Sequence, residues 1–149
     1  MRNTPRVRRL RPGDREAWDE LWRRYLRFYR ATLGDEVADH TFARLCAGDE
    51  LVALVAVDEA DRPIGLAHLV FHPSTWTTQP YCYLEDLYVH PDHRGAEVAR
   101  ALFDALSAVA GERGAARVYW LTQQYNGAAR SLYDVVGRLT SFVVYERDV

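Results

Sequence analysis

Two kinds of residue in this 149-residue chain stand where chemistry would need them. One is a pair of acids, Glu85 and Asp86, inside a run of strand formers, Cys82–Val89 (CYLEDLYV). Strands disfavour carboxylates and burial makes them costly, so the pair calls for a reason: an arginine across the sheet, or a functional role. The other is Asp92-His93-Arg94-Gly95-Ala96-Glu97, which joins that run to a helical pattern. A loop entering a helix presents unpaired amide N–H groups and the positive end of the helix dipole. That is a site for an anion, above all a phosphate or pyrophosphate. Arg94 and Arg100 add positive charge at its two edges.

The elements that must position these groups follow from the pattern. The strand stops at His90-Pro91, since a proline biases the residue before it toward extended geometry. Val98, Ala101, Leu102, Ala105 and Val109 then share one helix face, and Gly111 and Gly114 are predicted to end that helix. Upstream, Arg6–Arg11 reads as a first strand. Asp14 reads as a helix N-cap, and Trp18, Leu21, Trp22, Tyr25 and Tyr29 keep helical spacing to Gly34. This aromatic stripe either packs on a sheet or lines a groove at its exposed end. A second helix runs Glu36–Ala47. Leu51–Val57 and Ile64–Phe71 form a hairpin around Asp58–Pro63. Residues 72–80 form a surface loop whose Trp76 either caps the core or touches a ligand. Arg117–Thr122 is a strand, and Asn126 opens a helix with Ala129, Leu132, Tyr133 and Val136 on one face, ended by Gly137. Thr140–Glu146 is a last strand. The order β-α-α-β-β-β-α-β-α-β, with a parallel crossover through the long helix, predicts an α/β (α+β) domain over residues 1–149. Helices should cover both faces of a mixed sheet.

Composition narrows the classes. Charged residues at 27% and hydrophobic ones at 48% suit a globular domain with its own core. A formal net charge of -2 gives no basic field for nucleic acid or an anionic membrane. No apolar run approaches a membrane span, and the first residues lack a signal core, so a cytoplasmic location is expected. Cys46 and Cys82 read as reduced core thiols. His68, His72, His90 and His93 lack metal-ligand spacing and read as solvated or structural, so no metal is expected.

The motifs carry a family resemblance. Arg94-Gly95-Ala96-Glu97-Val98-Ala99 resembles the Q/R-x-x-G-x-G/A signature of the GNAT N-acetyltransferases, with Glu97 where the family has glycine. Tyr83–Val89, together with His72-Pro73-Ser74-Thr75-Trp76, is similar to the polyamine and fungal histone/D-amino-acid branches. Asn126-x-x-Ala129-x-x-x-Tyr133-x-x-x-Gly137 resembles the family's later helix. The resemblance implies a mostly antiparallel sheet of six to seven strands with about four helices, splayed between strands 4 and 5. It implies an N-acetyltransferase using acetyl-CoA. The cofactor would lie along Leu87, Tyr88 and Val89, and on the amides of Arg94, Gly95, Ala96, Glu97, Val98, Ala99 and Arg100. Asn126, with Ala129, would hold its arm. Tyr133 would protonate the departing thiolate, and Glu85 would take the amine's proton through a water. Asp86, Trp76 and Tyr29 would contact the acceptor. That acceptor is a small-molecule amine (polyamine, D- or L-amino acid, aminoglycoside) or a protein lysine. Glu97 keeps a non-catalytic CoA-binding or regulatory module in view, and its side chain is expected to turn to solvent. A homodimer is a further expectation.

Overall fold

The computed structural model describes residues 4–149. Its elements are β1 (Arg6–Arg9), α1 (Arg15–Phe28), α2 (Asp35–Ala47), β2 (Leu51–Val57), β3 (Pro63–His72), β4 (Tyr81–Val89), α3 (Ala96–Glu112), β5 (Val118–Trp120) and α4 (Gly127–Val136). The sheet runs β1-β2-β3-β4-β5. The first four strands are antiparallel neighbours, and β5 joins β4 in parallel after the α3 crossover. Among the described residues no helix is long and apolar enough to cross a membrane.

Alternation along β2 builds two cores. Ala53, Val55 and Val57 pack with Trp18, Leu21 and Phe42 of α1 and α2. Val52, Leu54 and Ala56 pack with Val98, Leu102 and Leu106 of α3. A strand buried on both faces reads as a continuous apolar run, which is what LVALVAV is. Both thiols are free, with Cys82 buried and Cys46 half-buried. Burial pushes Cys82 up to about 11.

Some boundaries differ from the sequence expectation. α1 stops at Phe28 rather than near Gly34, because Arg30 turns left-handed (φ 54°) and Ala31 N–H bonds back to the Leu26 carbonyl at 2.8 Å. α3 runs through Gly111 to Glu112, and only Gly114, at φ 70°, lies beyond its end. β5 keeps three residues of the six expected.

The predicted strand Thr140–Glu146 is not formed. Residues 138–149 carry no helix or strand, and Leu139, Phe142, Val143, Val144 and Tyr145 all stand exposed. The sheet therefore has five strands among the described residues, not six or seven. Alternating apolar residues give a segment the tendency to be a strand. Only a ladder partner makes it one, and the chain's own β5 ladder is three residues long.

Candidate active site

The site begins with a slip in register. His68 pairs with Asp86 but Leu69 pairs with Leu84, so Glu85 is the extra residue of a β-bulge. A bulge bends its strand and increases the local twist. β5 pairs with Cys82, Tyr83 and Leu84 and then ends at Trp120, while β4 continues to Val89. From Glu85 onward the β5 side of β4 is open. His90 N–H bonds Ile64 of β3, and backbone groups alternate sides along a strand. Leu87 and Val89 therefore turn their N–H and C=O groups to the opening, where Val89 already accepts a bond from Arg94 Nε at 3.3 Å. Tyr88 between them faces the other way. Its ring is buried against Tyr25 of α1.

At the far end of this opening lies the start of α3. Gly95 adopts φ 150° and ψ 160°, a conformation almost confined to glycine, although a Cβ there would meet nothing within 4 Å. The glycine is needed for its backbone, and it turns the chain so that α3 starts at Ala96. Ala96 and Glu97 are exposed, Ala99 is half-buried and Val98 is seated in the α3-side core. Arg100 lies on the surface, 3.8 Å from Asp104. Arg94 sits over the Tyr88 ring at 5.5 Å. Tyr88 in turn lines a shallow cavity of about 230 Å³ with Arg24, Arg27 and Phe28. Tyr88 thus meets Arg94 on one side and shares a cavity with Arg24 and Arg27 of α1. Arg24 and Arg27 were not singled out from sequence, where they look like solvated positions of an amphipathic helix.

On the bulge side the aromatic stripe of α1 leads to the acids. Trp18 stacks on Trp22 (5.7 Å), Trp22 on Tyr25 (5.5 Å), and Tyr25 meets Tyr29 (4.9 Å). The stripe is core at its start, where Trp18 and Trp22 are buried, and reaches the surface at Tyr29. Tyr25 is raised by burial and then by the charge of Asp86. Tyr29 is raised by burial and then by the charge of Asp86. Glu85 is exposed, yet its carboxyl sits above the ordinary range through desolvation first and Asp86 second. Tyr83 stacks on Tyr119 at 4.8 Å and is pushed up to about 12, by burial and then by Glu85. Behind Asp86 lies His68, with Nδ1 2.9 Å from Asp86 Oδ2. The sequence pattern leaves His68 as solvated or structural, and the structure places it buried against the acid; its one signal is a lone imidazole in an otherwise apolar strand. Trp76 stands 79% exposed on the loop before β4 and, among the described residues, makes no ring contact with this cluster.

α4 closes the third side. Asn126 caps it, with Oδ1 accepting from Ala129 N–H at 3.4 Å. Tyr133 is half-buried, its ring against Trp120 (5.5 Å) and Phe103 (5.9 Å). Its phenol is raised by burial and then by Tyr29. Gly137 is explained by space: a Cβ there would lie 2.6 Å from Trp120 Cη2, so the glycine lets the indole under the end of α4. Asp86 thus acts on Tyr29, and Tyr29 on Tyr133.

The sheet is thus bulged and opened along β4, with the start of α3 at one end of the opening and the paired acids at the other. The chain belongs to the acetyltransferase (GNAT) family, whose model matches residues 16–137, and it is an N-acetyltransferase. The D-amino-acid N-acetyltransferase HPA3 of Saccharomyces cerevisiae is 38% identical over 146 residues, covering 95% of this chain and 89% of that protein. A thialysine N-epsilon-acetyltransferase of Caenorhabditis elegans is 36% identical over 76 residues, 51% of this chain and 47% of its own. The solved aminoglycoside acetyltransferase AAC(6')-Iy, in complex with a CoA-based bisubstrate analogue, shares the fold with a TM-score of 0.84 at 18% identity, over 99% of each chain.

Proposed function

We propose that this protein transfers the acetyl group of acetyl-CoA directly to a primary amine of a small cationic molecule of the amino-acid or polyamine type. The observation that carries this reading is the pair Glu85 and Asp86 at the bulge, beside the opening that separates β4 from β5. The residues suit the cofactor. Leu87 and Val89 offer backbone groups along an open edge, Gly95 supplies the turn into α3, and Arg94 beside it sits over Tyr88, which shares a cavity with Arg24 and Arg27. Acetyl-CoA would supply the acetyl thioester. The chain does the rest. Glu85 takes the amine's proton through a water, the amine nitrogen bonds the acetyl carbon, and Tyr133 gives its phenolic proton to the sulfur as the C–S bond breaks. Asp86 and Tyr29 hold the acceptor. Asn126 acts through its cap, which sets the start of α4 and hence Tyr133. The relatives' acceptors, D-amino acids and thialysine, favour a small molecule over a protein lysine. Thiol release from acetyl-CoA with a panel of D-lysine, L-lysine, thialysine and spermidine tests the reading. No release with any of them overturns it.

Glu85→Gln should lower kcat/KM for the amine by about tenfold or more. The loss should be largest at neutral and mildly acidic pH, where the amine is protonated, and vanish at alkaline pH, where it is free. A profile parallel to that of the native protein would remove Glu85 as the base.

Glu97 sits exposed in the first turn of α3. A carboxylate there suits the helix dipole but opposes a pyrophosphate on the same amides. At roughly 6 Å and an effective dielectric near 60, two such charges cost about 1 kcal/mol. Glu97→Gly should tighten acetyl-CoA binding several-fold by calorimetry, and more so at low salt. Equal or weaker binding would show that Glu97 does not oppose the cofactor.

The exposed residues 139–145 support self-association as well. β5 is an edge strand, and an exposed segment with alternating apolar side chains and no helix or strand of its own fits strand addition by a second copy. Sedimentation should show a dimer, and Phe142→Asp with Val144→Asp should give a monomer. A native monomer would refute the segment's role.

A further inference from the structure

Asp86 faces neutral donors and no cation. His68 Nδ1 lies 2.9 Å from its Oδ2, and the Tyr25 phenol, raised first by burial, is near enough for Asp86 to raise it further. The Asp86 and His68 side chains are 12% and 4% exposed. Among the described residues, no lysine or arginine pairs with this acid. Behind the imidazole, His68 Nε2 lies 3.0 Å from Trp18 Nε1, and Trp18 is fully buried. An indole N–H can only donate. Nε2 must therefore accept, the ring's one proton sits on Nδ1, and Nδ1 donates to Asp86. A second proton on Nε2 would face the indole hydrogen and break the Trp18 bond.

An arginine in this place would orient the acid and also cancel its charge. A neutral imidazole orients it and leaves the charge standing. A carboxylate largely removed from water and paired only with neutral donors is costly until a cation arrives. The charged and titratable groups around it are Tyr25 and Tyr29 from α1 and its end, Glu85 and Tyr83 from β4, and His68 from β3. None of these supplies a positive charge while His68 keeps its Trp18 bond. The Trp22 ring, 5.2 Å from that of His68, covers the imidazole.

We propose that His68 is a positioning residue: Trp18 fixes its tautomer, and the neutral ring holds Asp86 as an oriented, uncancelled anion for the acceptor's ammonium group. The acceptor's part in this rests on the acetyl-transfer reading above. Two measurements separate the two. The first needs no activity. The His68 ring nitrogens, read by ¹⁵N NMR in the full chain, should show the Nδ1–H tautomer, with Nε2 as the acceptor. In Trp18→Phe, which keeps a ring in the core but loses the donor, the Nε2 signal should shift and the preference for the Nδ1–H tautomer should weaken. An Nε2–H tautomer in the native protein overturns the proposal.

The second is kinetic, with D-lysine, L-lysine and spermidine as acceptors. His68→Phe should raise the amine KM about tenfold, the size of one lost charge-assisted hydrogen bond, with kcat and the acetyl-CoA KM within about twofold. His68→Gln, whose amide can donate, should recover part of the loss. An equal rise in both KM values would mark a merely structural role and overturn the proposal. If the native protein acetylates none of these amines, the acceptor reading falls, and the nitrogen shifts still decide the tautomer. If His68→Phe loses its near-ultraviolet dichroism, the native protein and Trp18→Phe decide alone.

Discussion

Tyr133→Phe is expected to lose about a hundredfold or more of kcat while binding acetyl-CoA as the native protein does. The variant changes one atom. Phenylalanine keeps the ring that packs against Phe103 and Trp120, so the core under α4 stays filled. What disappears is the proton donor. Burial and then Tyr29 raise the native phenol, so it is fully protonated at neutral pH and available to a departing thiolate. A simple thiol has its pKa near about 8.5, so its thiolate leaves more readily when a proton is at hand. The raised phenol also makes Tyr133 a weaker acid, and the transfer gains from being concerted with C–S cleavage. Steady-state kinetics on the variant, with calorimetry for acetyl-CoA, separate turnover from binding. Turnover equal to that of the native protein would remove Tyr133 from the chemistry and leave it as a half-buried ring.

Tyr133 also shows how far the sequence could be read. Its helix was legible because Asn126, Ala129, Tyr133 and Gly137 keep a spacing that fixes cap, face and end together. Glu85 and Asp86 were legible because acids stand out in a strand. The bulge that separates their roles was not, since one extra residue leaves no mark on the hydrophobic pattern. His68 and Trp18 lie 50 residues apart in sequence, and only the packing of α1 on β3 brings them to 3.0 Å. Arg24 and Arg27 come to share a cavity with Tyr88 of β4 in the same way, through the packing of α1 on the sheet. The last strand failed in the opposite direction. Thr140–Glu146 has the right alternation, but pairing is a property of two segments, and composition cannot say whether a second one is in reach.

The other large effect lies at the root of α1, the helix that delivers Trp18, Tyr25 and Tyr29 to the site. Asp14 sits just before this helix and is buried. Arg8 of β1 grips it with two bonds, Nη1 to Oδ2 at 2.8 Å and Nη2 to Oδ1 at 3.0 Å. Arg11 N–H adds a third at 2.8 Å. These donors, with Arg8 first, hold the Asp14 carboxyl below the usual carboxylate range. Asp14→Asn keeps the shape and removes the charge. Arg8 would keep Asp61, at 2.9 Å, as its remaining carboxylate, so the loss should fall near about 2 kcal/mol, below the 3–5 kcal/mol of a fully orphaned buried charge. The pH dependence fixes the cause. A carboxyl whose folded pKa is depressed stabilises the fold above its unfolded value, near about 3.9, and loses that contribution as pH falls through the folded one. The native protein should therefore lose stability below about pH 4, and its advantage over Asp14→Asn should shrink there. Urea unfolding at neutral and acid pH measures both. A gap that stays constant with pH would mean that Asp14 holds α1 by shape alone. A gap that closes means that the ion pair between β1 and α1 keeps the aromatic stripe, and with it the acceptor side of the site, in place.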